Sequence, residues 1–367
     1  MRLNKIVYAL LFISLLVILP GCTVDINSEA SNKGNDKNTE TLVVDYLGRE
    51  VAVPTKVNRI ATLYAFTGHV VTMLGEGDKI VAGVNGLLRD NLLSEINPSI
   101  RNISVPYQSN KVNIEELAKT NPDLIFIQAS TAQDEGERRK LEELNIPYLV
   151  VNFNSIKQQQ QSIEMIGKAL GKAKEAEVYN QFYNEMITLV SERIKDIPEE
   201  DRVRVYHSVN EATRTEPTDS LSAEWLKIAG ARNVVEGENL KLIDKKYIAN
   251  LEQILFWDPE VIIVNQDGVG DYILEGSQWK TIKAVKNKKV FQLPNGVSRW
   301  GHPGGMETPL AILWTAKTLY PDKFRDIDME EVTANFYNDF FDYELTPELI
   351  EKVLSGKDMR IPKGDNK

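Results

Sequence analysis

Residues 113–127 read NIEELAKTNPDLIFI, and residues 250–264 read NLEQILFWDPEVIIV. Aligned without gaps, Asn113, Glu115, Pro122 and Ile125 meet Asn250, Glu252, Pro259 and Ile262, and most other pairs match in kind, such as Asp123 with Glu260. Each copy reads as an Asn-opened helix, a turn at an Asn/Asp-Pro pair, and a short apolar run suited to a buried strand. A helix-turn-strand unit that recurs in both halves of a chain points to a duplicated architecture. Asn113 and Asn250 are expected to accept from the free N–H groups of the first helical turn. Glu115 and Glu252 then stand in that turn, where the helix dipole favours a carboxylate.

Outward from these units, short apolar runs alternate with helical patterns. In the first half they are RIATL, KIVAGV, DLIFI and PYLVV; in the second, RVRVYHSV, EVIIV and KVFQL. Strands separated by helices of this length predict a parallel α/β sheet in each half. LVVDYLGREVAVP, ahead of the first lobe, reads as a hairpin around a Leu-Gly-Arg turn. Between the halves lies a proline-free segment rich in Ala, Glu, Lys and Leu, with Gly167 and Gly171 expected to break it early. The remainder predicts one long helix over 172–198, and ~1.5 Å per residue would carry it ~39 Å from lobe to lobe. Residues 326–367 form a helical extension in which Phe336, Tyr337, Phe340, Phe341 and Tyr343 are expected to pack onto a lobe. The fold class is therefore α/β: one lobe over 41–171, a spine helix over 172–198, a second lobe over 199–325, and a cleft between the lobes.

The chain has 367 residues, 42% apolar and 26% charged, enough for two domains of roughly 150 residues each. Its net charge of −10 argues against broad attraction to nucleic acid. One cysteine and three scattered histidines leave little room for a protein-only zinc cluster.

The cysteine is informative because of its place. Arg2 and Lys5 precede an apolar run from Ile6 to Leu19, shorter than the about 20 residues of a membrane span but suited to a signal peptide. Leu19-Pro20-Gly21-Cys22 then resembles the lipobox of bacterial lipoproteins, although Pro20 is an uncommon choice there. That resemblance implies a signal peptide over 1–21, lipid on Cys22 and anchorage to the outer face of the cell membrane. Residues 22–40 are small, polar or charged and read as a flexible tether.

Lipobox, tether, two α/β lobes and a connecting helix together resemble the substrate-binding lipoproteins of ABC importers for metal chelates: iron-siderophore, haem and corrinoid binders. Supporting stretches are D-x-x-G-R-x-V-x-V-P at Asp45–Pro54, L-G-x-G-D-K-I-V-A-G-V at Leu74–Val84, the two Asn-opened units, and P-L-A-I-L-W…L-Y-P-D-K-F near the end. The resemblance implies a protein that captures rather than catalyses and carries no intrinsic cofactor. It implies an iron chelate as cargo, with corrinoid, haem, molybdate or tungstate as alternatives. It also implies a monomer docking on a two-fold symmetric permease with cytoplasmic ATPases, with Glu115 and Glu252 each meeting one half of that permease. Glu116 is expected only to cap its helix.

Open α/β sheets bind ligands beyond the carboxyl ends of their strands. The loops expected there supply Tyr64, Tyr107 and Gln108 from the first lobe and Arg214, Arg299, Trp300 and His302 from the second. Aromatic rings offer apolar contact and arginines offer planar forks to anionic edges. His302 is a candidate metal ligand, whereas His69 and His207 read as buried structural histidines. The turn GHPGGMETP could cradle an anion, but its glycines are better explained as shaping the approach to a helix begun near Pro309. Two other classes compete. An extracytoplasmic α/β hydrolase lacks a G-x-S-x-G elbow here, and a lipid-anchored signalling or adhesion module would favour an exposed patch over a cleft.

Overall fold

The structure is a computed structural model that describes residues 40–362. The lipobox with Cys22 and the tether through residue 39 lie outside the described residues. Among the described residues, no helix is long and apolar enough to cross a membrane.

The first lobe holds a six-stranded sheet in the order Lys111–Val112, Ser104–Gln108, Ile80–Val84, Ile60–Thr62, Leu124–Gln128, Tyr148–Val151. All neighbours pair in parallel except the edge pair Lys111–Val112 with Ser104–Gln108. Leu124 to Ile127 are wholly buried along consecutive positions, which requires cover on both faces of the sheet. The hairpin of Glu40–Val44 and Glu50–Pro54 turns at Gly48, whose φ is +76°. Buried Asp45 locks it down by accepting from the backbone N–H of Leu47, Arg49 and Val150 and from the Arg49 side chain.

The second lobe has a four-stranded parallel sheet ordered Arg232–Asn233, Arg204–Ser208, Val261–Val264, Val290–Gln292. A small antiparallel sheet, unforeseen from sequence, joins Arg214–Thr215, Lys246–Ile248 and Lys241–Ile243. Its strands are two or three residues long and carry no alternation to read.

A helix over Ala173–Ile194 runs between the lobes, about 33 Å long at ~1.5 Å per residue. It stops short of Pro198, consistent with the bias of a pre-proline residue against helical backbone. Gly171, at φ +69°, breaks the chain ahead of it. Gly167 does not break anything: it lies inside the preceding helix Ile156–Ala169. There a Cβ would come within 2.6 Å of the Ala176 Cβ, so its role is to let two helices cross closely.

The aromatic stripe of the extension packs on this spine. Phe340 lies 5.3 Å from Tyr179 and 5.2 Å from Phe182, and Phe336 lies 5.5 Å from Phe182. Tyr179 and Tyr183 are fully buried beneath.

Candidate functional site: the cleft between the lobes

Parallel strands of both lobes deliver their carboxyl ends to a common region. In the first lobe, Ile60–Thr62 is followed by half-buried Tyr64, which precedes the helix Ala65–Met73. In the second, Arg204–Ser208 leads to Asn210, in left-handed backbone at φ +66°, and Val261–Val264 leads to Asn265 and Gln266. The two sides approach at Gly304: a Cβ there would lie 3.6 Å from the Tyr64 hydroxyl and 3.7 Å from His302 Nδ1.

The turn that carries Arg299 and His302 is rigid for reasons visible in its partners. Buried Glu307 accepts from the Ser298 N–H at 3.0 Å, from the Ser298 hydroxyl, and from the Tyr337 hydroxyl at 2.9 Å. The Gly305 N–H donates to the His302 carbonyl at 2.8 Å, and the Trp225 indole donates to the Gly301 carbonyl at 3.0 Å. Gln159, from the helix before the spine, donates to the Gly305 carbonyl at 2.9 Å. The glycines shape this turn, and the helix Thr308–Leu319 follows with Pro309 in its first turn.

Arg299 donates through Nη1 to Asn210 and, at 3.1 Å, to Gln266, while its Nε is buried without a partner. Burial, then the charges of Arg360, Arg89 and Arg214, push its guanidinium down to about 9, with Asp90 acting in the opposite sense. Arg214 sits 3.8 Å from Glu216 and also keeps a buried, unpartnered Nε. His302 accepts the Gly304 N–H on Nδ1 at 3.1 Å. Burial, then Arg299, Arg360 and Arg214, hold its imidazole well below the usual histidine range. Arg299 thus lies within reach of the charges of Arg360, Arg89 and Arg214. Arg360 pairs with Asp90 and Arg214 lies beside Glu216, so the four guanidinium groups outnumber the two carboxylates paired with them. Such surroundings repel a bare metal cation at His302 and attract an anion. Among the described residues, no three His, Cys, Asp or Glu side chains gather as a metal site.

The other expected site residues fare differently. Trp300 is fully buried, so its ring presents no surface to a cargo; the turn closed by the Asn295–Arg299 bridge carries it into the core while Arg299 stays partly accessible. Val105–Gln108 is not a loop but part of the strand Ser104–Gln108, next to the sheet edge and turned back by Ser109 and Asn110 at φ +50° and +62°. Half-buried Tyr107 still reaches Thr131 through its hydroxyl at 3.0 Å, whereas Gln108 is exposed beside the tip of that turn. His69 and His207 are buried, as their positions suggested; His69 Nε2 lies 3.1 Å from Asp90. Arg89, Asp90 and Arg360 were not singled out from sequence, because no local pattern marks residues brought to the cleft by distant segments.

At the starts of the two repeated helices, Asn113 accepts from the Glu116 N–H at 3.2 Å and Asn250 accepts from the Gln253 N–H at 2.8 Å. Gln253 returns the bond to the Asn250 N–H, completing a reciprocal cap. Glu115 and Glu252 are both exposed on these first turns. Glu116 joins the Asn113 cap through its N–H, while its carboxylate accepts from the Ser104 hydroxyl at 2.6 Å.

Comparison with known proteins agrees with this architecture. Over 339 residues the chain is 27% identical to the molybdate-binding protein MolA of Haemophilus influenzae, covering 84% of this chain and 93% of that protein. It is 25% identical over 323 residues to YvrC of Bacillus subtilis, an uncharacterised ABC transporter substrate-binding lipoprotein, covering 84% and 95%. A periplasmic solute-binding protein from Veillonella parvula superposes with a TM-score of 0.75 at 26% identity, covering 86% of this chain and 97% of that one. Residues 60–297 match the periplasmic binding protein family. With two α/β lobes, a connecting helix and a cleft between strand ends, this chain belongs to that family, and it is an extracytoplasmic substrate-binding protein of an ABC importer rather than an enzyme.

Proposed function

We propose that the cargo is a small metal oxyanion of the molybdate or tungstate class, captured between the lobes and delivered to a two-fold symmetric permease driven by cytoplasmic ATPases. The observation that carries this reading is the convergence of Arg89, Arg214, Arg299 and Arg360 with a surplus of positive charge and with unpartnered guanidinium donors at Arg214 and Arg299. A dianion would accept those donors and neutralise that surplus. The similarity to a protein named for molybdate binding supports the same class.

An iron chelate is the second reading, favoured by the half-buried rings of Tyr64 and Tyr107. Burial of Trp300 weighs against a bulky chelate that needs a large aromatic platform. In neither reading does the protein need a cofactor of its own. Lipid on Cys22 would hold the monomeric protein at the outer face of the membrane, in keeping with its similarity to a lipoprotein. Exposed Glu115 and Glu252, one per lobe, would each engage one half of the permease.

The test is a tryptophan-fluorescence and absorbance titration with molybdate, tungstate, ferric catecholate and hydroxamate siderophores, haem and a corrinoid. Saturable binding of molybdate and tungstate supports the oxyanion reading. Binding of one chelate alone replaces it with the second.

A further inference from the structure

The C-terminal segment after the helix Pro347–Ser355 is a second connection between the lobes. Gly356, at φ +68°, turns the chain where a Cβ would come within 2.3 Å of the Leu293 carbonyl oxygen. On the second lobe, the Asp358 N–H donates to Asp267 at 3.2 Å, Lys357 lies 3.6 Å from Asp271, and the Asn295 N–H donates to the Val353 carbonyl at 2.9 Å. The chain then crosses to the first lobe and pairs with it as a short antiparallel bridge between Asp90 and Arg360. The Asn91 N–H donates to the Met359 carbonyl at 3.1 Å, and the Ile361 N–H donates to the Arg89 carbonyl at 2.9 Å. Arg89 Nε donates to the Ile361 carbonyl at 2.7 Å, and Asn91 donates through its side chain to the Asp358 carbonyl at 2.9 Å.

This strap carries a largely buried arginine to the cleft. Arg360 Nη1 lies 2.7 Å from Asp90, and Nη2 donates to the Gly86 carbonyl at 3.3 Å. The place is next to the cargo-facing loop of the first lobe: a Cβ on Gly86 would stand 3.4 Å from the Ala65 Cβ and 3.7 Å from Arg360 Nη2. Ala65 directly follows Tyr64, which in turn adjoins Gly304 and His302 of the other lobe. Asp90 is shared with His69, so the strap is pinned to an acid already fixed from within the first lobe.

We propose that the C-terminal strap completes the cargo site: Arg360 donates to the bound anion from the first-lobe side while Arg299 donates from the second. This rests on the oxyanion reading above. Binding would then join both lobes and the strap through one ligand, and specificity for an anion would depend on residues beyond the family's α/β core. A guanidinium held by one carboxylate still has donors and directional charge to offer, since arginine has five N–H groups.

The experiment is calorimetric titration of the full chain with molybdate, comparing wild type with Arg360→Gln, Arg360→Lys, the charge-balanced pair Arg360→Gln with Asp90→Asn, and Lys357→Gln. Arg360→Gln and the balanced pair are expected to weaken binding at least tenfold, Arg360→Lys less, and Lys357→Gln not at all. The balanced pair guards against misfolding from an acid left buried without its partner, and circular dichroism checks that each variant is folded. Wild-type affinity in the folded balanced pair would overturn the strap's role and leave the oxyanion reading standing. Equal weakening by Lys357→Gln would also overturn it, since the strap would then act by position alone. A wild type that binds no molybdate overturns the oxyanion reading and the strap's role with it, and the wild-type titration alone identifies that case.

Discussion

Tyr337 donates to Glu307 at 2.9 Å, and through this bond the C-terminal extension fixes the turn that presents Arg299 and His302. Tyr337 lies in the helix Met329–Phe341 and Glu307 immediately precedes the helix Thr308–Leu319, and both are fully buried. Burial pushes the Glu307 carboxyl up, while the donors from Ser298 and Tyr337 pull it back toward the charged form. Tyr337→Phe should therefore cost about 1–3 kcal/mol, the range for leaving a buried acceptor short of a donor. Urea denaturation measures that loss, and cargo affinity should fall alongside as the turn loosens.

Gly296 tolerates no side chain. A Cβ there would lie 1.6 Å from the Tyr337 hydroxyl and 2.6 Å from Glu307. Gly296→Ala should prevent the bond between them and lower the melting temperature more than Tyr337→Phe does. Scanning calorimetry of the two variants ranks them directly.

Trp300→Ala separates a binding role from a packing one. Because Trp300 is fully buried, the substitution is expected to cost about 3–5 kcal/mol of stability, as large-to-small changes in cores do. Trp300→Phe retains most of the volume and should leave cargo affinity within about threefold of wild type, since the ring makes no cleft surface. A titration of the folded Phe variant decides between the roles.

Acid should destabilise the protein from histidine ionisation. Burial pushes His207 down to about 3, and burial with the neighbouring arginines holds His302 well below its ordinary range. Between the unfolded value near 6.5 and the folded value, the unfolded chain takes up a proton that the folded chain refuses. Stability is thus full above about pH 6.5 and is lost as pH falls, by up to about 1.4 kcal/mol per unit for His207. Raised Glu307 and Glu216 act in the opposite sense, so the difference between wild type and His207→Leu is the clean readout. Denaturation at pH 7 and pH 5 should show a flatter pH dependence in the variant.

Glu115→Ala and Glu252→Ala should leave cargo affinity unchanged, because both side chains are exposed on the first turns of their helices and neither pairs with Arg299, Arg214 or Tyr64. Cellular uptake should fall in each and fall further in the double variant if each lobe meets one permease half. Unchanged uptake in the double variant would remove these residues from docking.

The two Asn-opened units were legible because capping and strand burial are local chemistry, repeated in each lobe. The position of Arg299 and His302 beside the cleft was legible because they follow the last strand and belong to a glycine-rich turn. Trp300 was misjudged because sequence cannot say which of two adjacent residues turns inward in a turn that follows a strand. Tyr107 and Gln108 were placed in a loop because Pro106 hides a strand, and the proline is tolerated where the pairing with Ile80–Val84 shifts register. Arg360 and Arg89 were not visible at all, since their meeting depends on a tail crossing between lobes.

The most direct test of the oxyanion site is a calorimetric titration of molybdate into the purified full chain and into Arg299→Gln side by side. Saturable binding by wild type, weakened about 10- to 100-fold in the variant, is the expected result, corresponding to about 1.4–2.8 kcal/mol for a charge-assisted contact. Equal binding by both proteins would contradict a site built on the cleft arginines, and absence of binding to wild type would contradict the oxyanion cargo itself.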